Sequence, residues 1–188
     1  PVTLTDLQIA GNDTKLYNDV TFLGIETVNT PINATAMTYL HIDVWSSNFT
    51  QFRVKLVDLG PDGTFAAPNP EHEVTFTGPQ QGAWISYHIP LSDFTGLTSR
   101  SKIAQLILSA MPNTVADFYI DNVYFTTCLP VAPSMAAPTP TCAAGNVISM
   151  FSNAYTNVPV DTWLTPWSAA PVTLTDLQIA GNDTKLYN

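Results

Sequence analysis

The chain has 188 residues, of which 45% are hydrophobic and only 11% charged, and it carries a formal net charge of −9 at pH 7. Charged residues hold less than half the share of about 25% usual in soluble domains, and six Lys and Arg cannot build the cation clusters that phosphate backbones need, which argues against nucleic-acid binding. No apolar run approaches the ~18 residues that cross a bilayer, and the Thr, Asn, Ser, Pro and Ala that take the place of charges suit a secreted protein.

The first 18 residues, PVTLTDLQIAGNDTKLYN, return unchanged as residues 171–188, a shift of 170 positions. Such an identity reads as one full period of a tandem array plus the start of the next, an engineered permutation or an arbitrary window being the alternative. Along the chain TLTDLQI, KLYNDVTFLGIE, MTYLHIDVW, FRVKLVDLG, HEVTFTG, AWISYHIPL, IAQLILSA and DFYIDNVYF read as strands. Between them GND, NTPIN, SSN, GPDG, APNP, GPQQG and MPN supply the residues of tight turns. In FRVKLVDL the alternation places Phe52, Val54, Leu56 and Asp58 on one face. Residues 91–96 read as a single helical turn capped by Ser92. So many short strands predict an all-β sandwich of the jelly-roll type, with a barrel as the alternative.

Residues 128–145, CLPVAPSMAAPTPTCAAG, are Pro- and Ala-rich without hydrophobic periodicity and read as a linker. The domain is therefore expected to run cyclically. Residues 1–127 form the body of one unit lacking its first strands, and residues 146–188 form the N-terminal strands of the next. The missing strands come from the preceding repeat of the same chain or from a strand-exchanged neighbouring subunit. Cys128 and Cys142 flank the linker, and a disulfide between them would close a loop of about 15 residues worth on the order of 3 kcal/mol. Two unpaired thiols are the other reading.

Catalysis has little support. His41, His72 and His88 are dispersed, and no Gly-x-Ser-x-Gly elbow, phosphate loop or paired-His metal motif is present. Asp58, Asp62, Glu71 and Glu73 offer oxygen ligands near one edge of the sandwich, a candidate Ca²⁺ site or simply a solvated turn. Trp45, Trp84 and Tyr87 lie in or beside strands, where core packing is the plain explanation, although all three are also sugar-platform candidates. Trp163 and Trp167, in the loop-like DTWLTPW, are the better platform candidates or else wedges between neighbouring repeats. Asn12, Asn33 and Asn48 begin Asn-x-Thr sequons and are read as turn chemistry.

NVISMFSNAYTNVPVDTW, YLHIDVWSSNFTQFRVKLVDLGPDG, EHEVTF, WISYHIPLSDFTGL and FYIDNVYF together resemble the carbohydrate-binding-module-like jelly rolls of secreted bacterial hydrolases and surface proteins. The resemblance implies the galactose-binding-like superfold and a structural Ca²⁺, with Asp121 joined to Ser152 and Asn153 of the first strand. The setting departs from that pattern, because the next element along is another copy rather than an enzyme.

These readings combine into a non-enzymatic, extracellular or cell-surface repeat. It would build a filament, stalk or giant adhesin whose partners are neighbouring copies. The alternative is a carbohydrate-binding module whose duplication raises avidity for a polysaccharide.

Overall fold

The computed structural model describes residues 1–65, 68–128, 133–168 and 174–187. Residues 129–132 of the expected linker, 169–173 and 188 of the expected next unit, and Ala67 of the APNP turn lie outside the described residues. The chain divides into two units, Pro1–Pro130 and Val131–Asn188.

The first unit opens with β1 (Thr3–Ile9) and β2 (Asn12–Val20), paired from Thr3 with Asn18 to Ile9 with Asn12. Their two-residue turn needs positive φ at both central positions, and Ala10 (φ 51°) and Gly11 (φ 85°) provide it. The expected single strand over KLYNDVTFLGIE is two strands. The chain bulges after Tyr17, turns at Asp19 (φ 55°), and re-enters as β3 (Phe22–Glu26) in the opposite sheet. An Asp117 carboxylate oxygen accepts the Asp19 N–H at 2.9 Å and holds the corner.

β4 (Tyr39–Trp45), β5 (Gln51–Asp58), β6 (Glu71–Thr77), β7 (Trp84–Pro90), β8 (Ile103–Met111) and β9 (Ala116–Thr126) complete the unit. One sheet has the order β1-β2-β9-β4-β7 and the other β3-β8-β5-β6. Every pairing is antiparallel. The expected β-sandwich is therefore borne out.

Alternation drives the packing. In β4, Leu40, Ile42 and Val44 are buried while Tyr39, His41, Asp43 and Trp45 are not. In β5, Phe52, Val54, Leu56 and Asp58 are all buried, the face that the sequence pattern assigns. Phe49, Phe52, Phe94 and Phe118 anchor the core between the sheets, each side chain worth roughly 1.5–3 kcal/mol on burial. Residues 91–96 differ from expectation. They form two successive tight turns, with the Asp93 N–H bonded to the Pro90 carbonyl (3.0 Å) and the Leu97 N–H to that of Phe94 (2.9 Å), and no helical turn.

In the second unit a 3-10 turn at Ala144–Asn146 leads into an irregular stretch, pinned by a bridge between Ser149 and Asn157. β10 (Leu174–Ile179) and β11 (Asn182–Tyr187) then repeat the first hairpin with the same register. Among the described residues no helix is long and apolar enough to cross a membrane.

Candidate functional site

The outward residues of β4 meet those of β7 and β9 in cross-strand rows. Trp45 lies between Trp84 on β7 and Tyr119 on β9. Asp43 lies between Ser86 and Asp121, and His41 between His88 and Tyr124. Residues paired across an antiparallel ladder project to the same side, so these form one continuous face. Four residues along β4 separate the Trp45 row from the His41 row, about 13 Å.

The aromatic rings support one another. Trp45 and Tyr119 meet edge to face at 5.4 Å, His41 stacks on Tyr124 at 4.6 Å, and Tyr39 leans on His88 at 4.4 Å. Trp84 and Tyr124 remain 45% and 47% exposed, so their surfaces are available to a ligand. The polar groups between them are fixed. Asp43 accepts from His41 Nε2 (3.1 Å) with one oxygen and from Asn122 Nδ2 (2.7 Å) with the other. Asp121 accepts the Asn122 N–H (2.6 Å) and a bond from the Asn12 amide. His88 Nε2 donates to the Cys128 carbonyl at 2.9 Å. Rings flanking a carboxylate row offer apolar contact for the C–H face of a sugar and acceptors for its hydroxyl rim.

A bulge builds this face. Between His41 and Asp43, β9 places Asn122 and Val123 against one β4 residue, and Asn122 adopts φ 49°. Asp121, which the family resemblance implies as a calcium ligand, directly precedes this bulge.

The other candidate residues are scattered. Tyr87 points inward and is only 9% exposed, packed between Phe76 (4.4 Å) and Phe52 (5.3 Å), so it is a core residue and not a platform. Burial pushes its phenol up to about 12. Trp163 is half-buried in the second unit, edge to face with Phe151 at 5.5 Å, whereas Trp167 is almost fully exposed there.

The carboxylates proposed for Ca²⁺ are otherwise engaged. Buried Asp58 accepts the N–H groups of Gly60 (2.7 Å) and Lys102 (2.6 Å), and Asp62 accepts that of Thr64 (3.2 Å). Glu71 pairs with Lys55 at 2.6 Å and Glu73 faces Arg53 at 3.9 Å. Ser152 caps the Ala154 N–H, and Asn153 bonds Asp183 in the second unit. Among the described residues, no three His, Cys, Asp or Glu side chains converge on a metal position. Cys128 is exposed in the first unit and Cys142 in the second.

Trp45, for which its place in a strand favours core packing, stands on this face with Tyr39, Tyr119 and Tyr124, which no sequence motif singles out. The alternation of YLHIDVW carried a signal for β4, because its aromatic and polar residues fall on the side opposite Leu40, Ile42 and Val44.

No protein-family model matches the sequence, and no curated protein matches it. Solved structures do. The chain is 14% identical to the family 11 carbohydrate-binding module of a cellulosomal cellulase of Clostridium thermocellum, with TM-score 0.53 over 70% of this chain and 84% of that one. It is similarly close (13%, TM-score 0.53, 69% and 84%) to the family 11 module from Clostridium thermocellum in complex with a β-1,3-1,4-mixed-linked tetrasaccharide. A family 30 carbohydrate-binding module gives 14% identity and TM-score 0.55 over 71% and 80%. The chain thus has the jelly-roll fold of carbohydrate-binding modules.

Proposed function

We propose that the first unit is a non-catalytic, extracellular polysaccharide-binding module whose ligand lies along the outer face of the five-stranded sheet. The observation that carries this reading is the pair of aromatic rows, Tyr119–Trp45–Trp84 and Tyr124–His41–His88, with fixed Asp43 between them. Similarity in fold to a module that holds a β-1,3-1,4-linked tetrasaccharide favours a β-glucan as the ligand class.

The identical residues 1–18 and 171–188 favour a second layer to the same function. Copies strung in one filament or stalk would sum weak individual contacts into avidity, since each bound module raises the effective concentration of the next.

Gel retardation in soluble mixed-linkage β-glucan tests the site. The protein should be retarded, and Trp84→Ala and Trp45→Ala should each bind at least tenfold more weakly while keeping the fold by circular dichroism. Equal retardation of folded Trp84→Ala, or none for the parent chain, would overturn the proposal.

A further inference from the structure

The sandwich of the first unit is open where β1 and β2 face the opposite sheet. A groove of about 1250 Å³ runs there, with Ile25, Met37 and Leu106 in its wall and the core residues Leu40, Leu56 and Ile120 at its floor. Protein interiors rarely leave a space this large between packed sheets. Asp13, Lys15 and Tyr17 of β2 line the same groove. Lys15 pairs with Ile120 across the ladder, so its side chain projects toward the interior of the sandwich rather than the outer face.

The second unit shows what such a hairpin is built to receive. β11 copies β2 residue for residue at a shift of 170, so Asp183, Lys185 and Tyr187 are the copies of Asp13, Lys15 and Tyr17. In that unit all three touch residues 146–168. Asn153 Nδ2 donates to the Asp183 carboxylate and Asn153 Oδ1 accepts the Asp183 N–H, both at 3.0 Å. Tyr187 donates its hydroxyl to the Trp163 carbonyl at 2.9 Å. The Lys185 ammonium sits 4.9 Å from the Phe151 ring centre and 5.0 Å from that of Trp163.

Both lysines make the same ion pair with a β1 or β10 aspartate, yet the Lys185 side chain is 13% exposed and that of Lys15 is 52% exposed. The difference is the cover of aromatic rings. Residues 146–168 in turn expose Ile148 (86%) and Met150 (58%), two residues apart, while the groove offers an apolar wall. Each surface is incomplete in the way the other can supply.

We propose that the groove of the first unit is filled by a second copy of residues 146–168, supplied by a neighbouring repeat and seated on β2 as those residues sit on β11. In that arrangement Asn153 of the copy brackets Asp13, its Phe151 and Trp163 cover Lys15, and its Ile148 and Met150 enter the groove. The complete domain is then the segment 146–168 followed by the hairpin and the remaining strands. In a tandem array this is the order in which the repeat delivers them. The inference does not depend on sugar binding at the outer face.

A synthetic peptide of residues 146–168 added to the full 188-residue chain tests it. Lysine acetylation followed by mass spectrometry reads Lys15 against Lys185. Without peptide Lys15 reacts faster; with saturating peptide its rate should fall to that of Lys185, and hydrogen exchange should slow in residues 3–20 and 103–111. Peptide carrying Asn153→Ala should bind about fivefold more weakly, and the Lys15→Ala chain about tenfold more weakly, with loss of two cation–π contacts. Protection should be unchanged in the Trp84→Ala chain. Absence of saturable binding, binding that leaves Lys15 reactive, or equal protection by a scrambled peptide would overturn the proposal.

Discussion

Tyr119 and Tyr124, five residues apart on β9, stand on the same face of the sheet, where strict alternation would set them on opposite faces. Tyr119 meets Trp45 and Tyr124 meets His41, and both partners are outward residues of β4. The extra residue of the bulge at Asn122 resets the alternation. The Asn122 amide then bonds Asp43, tying the backbone irregularity to the central carboxylate of the face.

Asn122→Val should therefore damage both fold and face. A β-branched residue at φ 49° costs about 1–2 kcal/mol, and the bond to Asp43 is lost with it. Asn122→Gly should recover most of the stability, because glycine accepts that φ, without recovering full glucan retention. Urea denaturation and gel retardation on the three proteins separate the two effects.

Asp58 is a structural carboxylate. It is fully buried and holds the loops around Gly60 and Lys102 through their backbone N–H groups. Removing it orphans a buried donor at Gly60 and a part-buried one at Lys102, so Asp58→Ala should lose about 2–4 kcal/mol in urea denaturation. The loss should be the same with and without a calcium chelator.

Gly96 lies where the turn after β7 passes β6. A Cβ there would stand 2.6 Å from the Glu71 carbonyl oxygen, closer than any relaxed contact. Gly96→Ala should lower stability by about 1–3 kcal/mol, measured by thermal unfolding. It should leave sugar binding unchanged, since the site lies on the other sheet's outer face.

Tyr87 predicts an alkaline limit. The buried phenol ionises at about 12 rather than at 10.0, because the core disfavours the phenolate. Between those values the unfolded chain has released a proton that the folded chain retains, so rising pH favours unfolding. Burial raises Tyr17 in the same direction. Stability measured by urea denaturation should hold below pH 10 and fall from 10 to 12, and Tyr87→Phe should make that fall shallower.

Much of the architecture was legible from period-two patterning. Seven of the eight strand runs matched, KLYNDVTFLGIE splitting into two, and Phe52, Val54, Leu56 and Asp58 of β5 fell on one buried face as read. The break between β2 and β3 falls at the turn-prone pair Asn18-Asp19, whose signal is masked because apolar residues continue on both sides of it and the chain changes sheets through a bulge. The candidate site was legible only in part. Single aromatic residues look alike in a strand whether they face inward, as Tyr87 does, or outward, as Trp84 does. Pairing decides between them, and the bulge that aligns Tyr124 with Tyr119 leaves no mark in the alternation of DFYIDNVYF that sequence alone assigns to one face.

The most direct test of the central claim is a nuclear magnetic resonance titration of the isotope-labelled chain with a β-1,3-1,4-linked tetrasaccharide. A ligand on the outer face should give saturable shifts at the indole N–H groups of Trp45 and Trp84 and at the amides around Tyr119 and Tyr124, with the groove residues Leu106 and Met37 unmoved. Shifts confined to the groove or to Trp163 and Trp167, or no shifts at saturating sugar, would contradict it.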